Sequence, residues 1–211
     1  MSEIQVNKII PVSGTDVILG DSSDTFTVPS GVTLAIASGA TVTNSGTASG
    51  FGGGKIGQIV STLKTDTFTS TNSTAWNDIT GMTVAITPAA ASSKILICWN
   101  LFGQAKTNNK GNYKMMRDIE SGGYEDFAVG DASSSRLRVT MASPLAITID
   151  PMIMAAMVLD SPSYTLTDVI TYKGQIWSDS DWMGVNRSYG DTDGGSFPRG
   201  ISSFVAMEVL A

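Results

Sequence analysis

Met82-Thr83-Val84-Ala85-Ile86-Thr87 sets larger apolar residues against small or polar ones at every second position, the pattern of a strand with one dry and one wet face. The same period predicts strands over Gln58–Thr62, Thr65–Thr69, Trp76–Thr80, Lys94–Gly103, Arg136–Ala142, Ile147–Leu159, Asp168–Ser178 and Ser202–Leu210. Breaks between them are rich in Gly, Pro, Asn and Ser, which favour tight turns. About ten short strands in roughly 155 residues predict an antiparallel, jelly-roll-like β-sandwich. No long amphipathic helix competes, although Tyr113–Ile119 reads as one short helical turn.

Composition agrees with an all-β chain. Of 211 residues, 26 are Ser, 23 Thr and 22 Gly, and only 15% are charged while 42% are hydrophobic. Such a chain has enough apolar content to build a core and is unlike charge-rich disordered sequences. Residues 1–55 hold two aromatics, Phe26 and Phe51, against fourteen beyond them, which implies a boundary. The run Gly50-Phe51-Gly52-Gly53-Gly54-Lys55 marks it, and the expected organisation is a stem over 1–50, a hinge over 51–55 and a head over 56–211.

Within the stem, Thr25–Val28, Val32–Ile36 and Ala40–Thr43 are short β-type runs separated by turn signals, with Gly31, Gly39 and Gly46 recurring every eight and seven residues. Each rung is too short to bury a core by itself. Three identical chains wound about one axis supply the missing partners, with Val28, Leu34, Ile36 and Val42 facing inward. The alternative reading is a flexible Ser/Thr/Gly linker.

Thirteen basic against nineteen acidic residues leave a net charge of −6, no footprint for a nucleic-acid backbone or an anionic membrane surface. Histidine is absent, which removes the commonest general base and metal ligand. The single cysteine, Cys98, reads as a small buried hydrophobe. The longest apolar run, Met152–Leu159, is far short of the ~18 residues that span a bilayer, and no hydrophobic signal region opens the chain, so neither membrane insertion nor a Sec address is expected.

Catalytic and metal motifs fail on inspection. Gly54-Lys55 lacks the Ser or Thr of a phosphate loop, and Asp191-Thr192-Asp193-Gly194-Gly195 lacks the closing carboxylate of a calcium loop. Asp179 and Asp181 could join Asp191 and Asp193 around a cation, against the plainer reading of all four as solvated turn residues. No enzyme activity, metal or cofactor is expected. The aromatic residues Tyr113, Tyr124, Trp182, Tyr189 and Phe197 lie in Gly/Asn/Asp/Ser-rich segments that read as loops, the equipment for gripping a sugar or polar surface. The competing reading for each ring is burial or a subunit contact. Lys106, Lys110, Lys114 and Arg117 form a basic run that could meet an anionic glycan or simply face solvent.

The opening Ile4-Gln5-Val6-Asn7-Lys8-Ile9-Ile10-Pro11, followed by Ile18-Leu19-Gly20-Asp21-Ser22-Ser23-Asp24 and Thr25 to Gly31, resembles the amino-terminal part of tail-fibre-like structural proteins of marine bacteriophages of the cyanophage and pelagiphage type. Lys55 to Thr62, Thr83 to Pro88, Ser92 to Ile97, Asn186-Arg187-Ser188 and Arg199-Gly200 resemble that family's carboxy-terminal β-domain, while residues 104–130 carry no resemblance. The resemblance implies a virion protein forming homotrimeric fibres or spikes. On that reading the amino-terminal segment attaches to other tail or capsid proteins, and the head meets a host-surface glycan or protein. Alternatives are a capsid decoration or head-fibre protein and a polysaccharide-degrading tailspike.

Overall fold

The computed structural model describes residues 25–40, 55–71, 74–106, 109–143, 151–178 and 182–210. The chain divides into two compact units, Met1–Phe51 and Gly52–Ala211. In the first, the turns expected at Pro29-Ser30-Gly31 and Ser38-Gly39 are present: Val32 N donates to Pro29 O at 3.2 Å and Ala40 N to Ala37 O at 3.0 Å. Gly31 and Gly39 take φ of +82° and +84°, eight residues apart. The runs between the turns are not strands within the single chain, and Val28, Leu34 and Ile36 are exposed. Strand pairing needs a second backbone, and among the described residues none pairs with these runs. Val42, Gly46 and residues 51–54 of the expected hinge lie outside the described residues.

Among the described residues the second unit contains eleven strands: β1 Ile56–Lys64, β2 Phe68–Ser70, β3 Asn77–Ile86, β4 Lys94–Ala105, β5 Gly111–Ile119, β6 Glu125–Phe127, β7 Met141–Ala142, β8 Met152–Asp160, β9 Ile170–Ser178, β10 Met183–Val185 and β11 Ser202–Val209. Among the described residues there is no helix. One sheet has β4 at its centre, with β8 along one edge and β11 then β10 along the other; β1 continues outward from β11 and β2 from β10. The second sheet runs β3-β9-β5, with β6 and β7 sharing the far edge of β5. All pairs are antiparallel, and some of them form a nested series: β1 with β11, β2 with β10, β3 with β9, β4 with β8 and β5 with β6.

Four departures from the sequence reading have physical causes. Tyr113–Ile119 is not a helical turn but lies in β5, held by nine residue pairs to β9 from Gly111↔Ser178 to Ile119↔Ile170. Trp76–Thr80 and Met82–Thr87 merge into one strand, β3, whose register slips between Asp78 and Thr83 around Gly81 at φ +81°. Of Arg136–Ala142 only Met141–Ala142 pairs. The strand-like settings of Trp76, Trp99 and Trp177 predict three core rings, yet only Trp99 is fully buried; Trp76 and Trp177 are half-buried, Trp177 on an outward position of β9.

Inward positions of both sheets form one core, in which Trp99 stacks on Phe204 at 5.5 Å and Ile97, Leu101, Met115 and Ile176 are sealed from solvent. An ion pair crosses between the sheets at one end. Arg117 of β5 donates through Nη1 to both oxygens of Asp160 of β8, at 2.7 and 2.9 Å, and the Tyr172 hydroxyl donates to Asp160 Oδ2 at 2.7 Å. Burial first, and then the neighbouring Asp160 carboxylate, push the Tyr172 phenol above its ordinary range. Asp160→Asn keeps the shape but leaves Arg117 without its buried counter-charge, and is expected to cost about 3 kcal/mol, read as a lower urea unfolding midpoint.

Glu208, buried in β11, accepts from Gln58 Nε2 at 2.8 Å and from the amides of Ala89 and Ala90 at 2.7 and 3.2 Å. Burial by itself raises this carboxyl, but the donated hydrogen bonds outweigh it and hold the group below its ordinary value. The resulting stabilisation is complete above the unfolded glutamate value of ~4.3 and is lost as pH falls through the lower folded value. Thermal unfolding between about pH 5 and 2 is expected to lose its steepest acid dependence in Glu208→Gln.

Candidate functional site

β11 covers β4 only from Lys94 to Asn100, and β10 covers Gly103 to Ala105. Between the two strands the chain leaves the sheet from Asn186 to Ile201 and returns at Ser202. The gap is bridged by one backbone bond and by side chains. Asn186 N donates to Phe102 O at 2.8 Å, Phe102 N donates to Ser202 Oγ at 3.0 Å, and Ser202 Oγ donates to Asn186 Oδ1 at 2.7 Å. Asn186 Nδ2 then donates to the carbonyls of Lys64 and Asp66, at 2.8 and 3.0 Å, where β1 stops short of β2. Asn186 is fully buried at φ +60°, a left-handed backbone that Asn tolerates better than other non-glycine residues. One amide thus closes the breaks in two neighbouring strands.

Two glycines allow close packing here, Gly200 bringing the excursion onto the sheet and Gly184 of β10 admitting Trp182. A Cβ on Gly200 would sit 2.5 Å from the Phe102 ring, and one on Gly184 would sit 2.4 Å from the Trp182 indole, closer than van der Waals contact allows. Trp182 and Tyr189 meet edge to face at 5.2 Å, and the Arg187 guanidinium lies 5.2 Å from the Trp182 ring. Tyr189 N donates to the buried Gln104 Oε1 at 2.8 Å, and Arg187 Nη1 to Thr69 Oγ1 at 3.2 Å.

Asp191 organises the outer part. Arg199 donates to both its oxygens, Nε at 3.1 Å and Nη2 at 2.9 Å, and Arg187 Nη2 stands 3.6 Å away. The hydrogen bonds from Arg199, with the charge of Arg187, hold the Asp191 carboxyl below its ordinary value. A cavity of about 430 Å³ opens here, lined by Asp191, Thr192, Asp193, Gly194, Phe197 and Arg199 among others. It presents a guanidinium, two carboxylates, a hydroxyl and an aromatic ring, a set able to orient a polyhydroxylated ligand.

Of the five aromatic residues singled out by sequence, Tyr189 and Phe197 lie in this excursion, Phe197 with its ring against Gly190, and Trp182, just before β10, packs edge to face on Tyr189. Tyr124 lies elsewhere, in the β5–β6 turn, with Lys173 Nζ 3.7 Å from its ring centre. Tyr113 must be withdrawn as a contact residue. It is an inward residue of β5 at 0% exposure, its hydroxyl has no partner among the described residues, and burial pushes the phenol well above its ordinary range. The basic run is also not an open patch: Lys114 pairs with Asp126 at 2.6 Å and Arg117 is spent on Asp160 and Glu125. Asp179 and Asp181 lie outside the described residues, and Asp191 is committed to two arginines. Among the described residues no three acidic or thiol groups converge on a metal position.

The roles of Arg187, Arg199 and Asn186 escaped sequence reasoning, because Arg199 is eight residues from Asp191 and Asn186 sixteen from Ser202, spacings without helical or strand periodicity. Compared with known proteins, the chain matches no family model and no curated protein sequence.

Asn186→Ala strands the Ser202 hydroxyl and two carbonyls and places a Cβ-bearing apolar residue at positive φ. It is expected to cost about 2 to 3 kcal/mol. Limited proteolysis should then cut between residues 187 and 201 about tenfold faster than in the wild type.

Proposed function

We propose that this chain is a non-catalytic bacteriophage virion protein of the fibre or spike type. Residues 1–50 attach it to other virion proteins and join three copies, and the β head meets the host surface through the excursion between β10 and β11. The observation that carries this reading is the excursion itself: a sixteen-residue polar and aromatic loop, clamped at its base by Asn186 and Ser202 and stiffened by the Asp191 and Arg199 pair. A held loop on a rigid sandwich recognises a ligand without losing much conformational freedom on binding. Trp182, Tyr189 and Phe197 supply ring faces and edges, and Arg187, Arg199 and Asp193 supply charged hydrogen-bonding groups, the chemistry that grips sugar hydroxyls. The turn repeat at Gly31 and Gly39, with exposed Leu34 and Ile36 between, supports a stem that finds its partners in other copies.

The test is binding of the full-length protein to an array of bacterial envelope polysaccharides. Trp182→Ala and Tyr189→Ala are expected to lower retention at least about tenfold with the melting temperature little changed. Undiminished binding by both variants, or fresh reducing ends released from a bound glycan, would overturn the proposal. So would labelled protein that decorates the capsid shell instead of the tail.

A further inference from the structure

The two sheets differ on their outward faces. That of β3, β9 and β5 is dressed with ion pairs, Lys173 to Asp78 at 2.8 Å and Lys114 to Asp126 at 2.6 Å. The outward face of β1, β11, β4 and β8 is apolar. Register places Ile59, Met207, Leu96 and Leu159 in one cross-strand row and Ser61, Val205, Cys98 and Met157 in the next. Ile153 is 75% and Met157 71% exposed, with Ile59, Leu63 and Leu159 about half exposed or more. Among the outward positions of these four strands Lys94, at one end, is the only charged residue.

From this we infer that the outer face of the six-stranded sheet is an interface between copies of this chain. Three observations select that occupant. First, Met152–Leu159 is apolar at every position, the pattern of a strand buried on both faces, yet within one chain only Met154, Ala156 and Val158 pack against the core. Second, the area is sufficient: the five most exposed side chains offer roughly 600 Å², and their half-buried neighbours bring the face near the ~800 Å² per partner of a stable interface, beyond what a monomer ordinarily leaves open. Third, the chain carries a net charge of −6 but almost none of its charge on this face. Identical copies therefore meet here without bringing like charges together, and a second copy is present at the protein's own concentration.

The inference rests on this surface and not on glycan recognition, and the two fail separately. In the full-length protein Ile153→Asp/Met157→Asp is expected to speed maleimide labelling of Cys98 about tenfold at high protein concentration, while far-UV circular dichroism, cooperative melting and any assembly through residues 1–50 persist. Cys98, the chain's single cysteine and half-buried at the centre of the face, reports on the same contact without any substitution. Its labelling by a maleimide should be about tenfold slower at high protein concentration than after dilution to the single-chain mass. A wild-type mass of 22.1 kDa at tens of micromolar would overturn the interface, whether or not glycan is bound. A folded double variant whose Cys98 labels no faster than in the wild type overturns it too. So does a Cys98 labelling rate independent of concentration, which would leave any assembly to residues 1–50.

Discussion

The length of β4 governs the architecture. Its twelve residues outrun β11, so the edge from Leu101 to Ala105 must be satisfied by other means. β10 supplies three of the missing pairs, and at Phe102 the Asn186 backbone N–H and the Ser202 hydroxyl take the place of a strand. Buried backbone groups left unpaired cost as much as a lost hydrogen bond, so this repair is what allows a sixteen-residue excursion to leave a sheet without opening its centre. Directly beneath it, on the opposite face of β4, Trp99 and Leu101 are sealed into the core, so the loop's anchor and the densest packing share one strand.

The same economy appears in the charged residues. Where a charge turns inward, it is compensated locally: Arg117 by Asp160, and Glu208 by Gln58 and two amides. Where charges turn outward on the second sheet, they pair across strands and contribute little to stability, because exposed pairs are worth only tenths of a kcal/mol. Their distribution matters more than their energy. It keeps one face of the sandwich wet and soluble and leaves the other without an electrostatic barrier to close approach.

Alternation was legible wherever a strand keeps one face uniformly apolar, and so β1, β4, β9 and β11 fall close to their expected spans. β5 was not, because Tyr113, Met115 and Arg117 share its inward face, and an inward arginine breaks the binary pattern unless its partner Asp160, forty-three residues away, is already known. The loop-like Asn and Gly residues preceding Tyr113 then drew that ring onto the surface in a reading from sequence, whereas the fold places it in the core. β10 has three residues, one of them Gly184, and exists because β4 and β2 offer it edges on both sides. The excursion was visible as a Gly- and Asp-rich stretch with aromatics, but its rigidity was not, since the Asn186, Asp191 and Arg199 contacts depend on tertiary placement.

The excursion and the apolar face belong to the same sheet and adjoin. Gly200 packs over the outward ring of Phe102, and Phe102 pairs in register with Ile153, among the most exposed residues of the face. If copies of the chain meet through that face, each excursion is carried to the rim of the contact, where it stays solvent-accessible beside its counterparts. Ring faces and a few hydrogen bonds in an open cavity give modest affinity for a single glycan. Several such loops on one assembly raise the effective concentration of every loop after the first, and avidity then grows by orders of magnitude without any new contact. On the proposed reading the apolar face and the polar loop are complementary parts of one device, in which association of heads through the dry side of the sheet would make weak recognition at its edge sufficient.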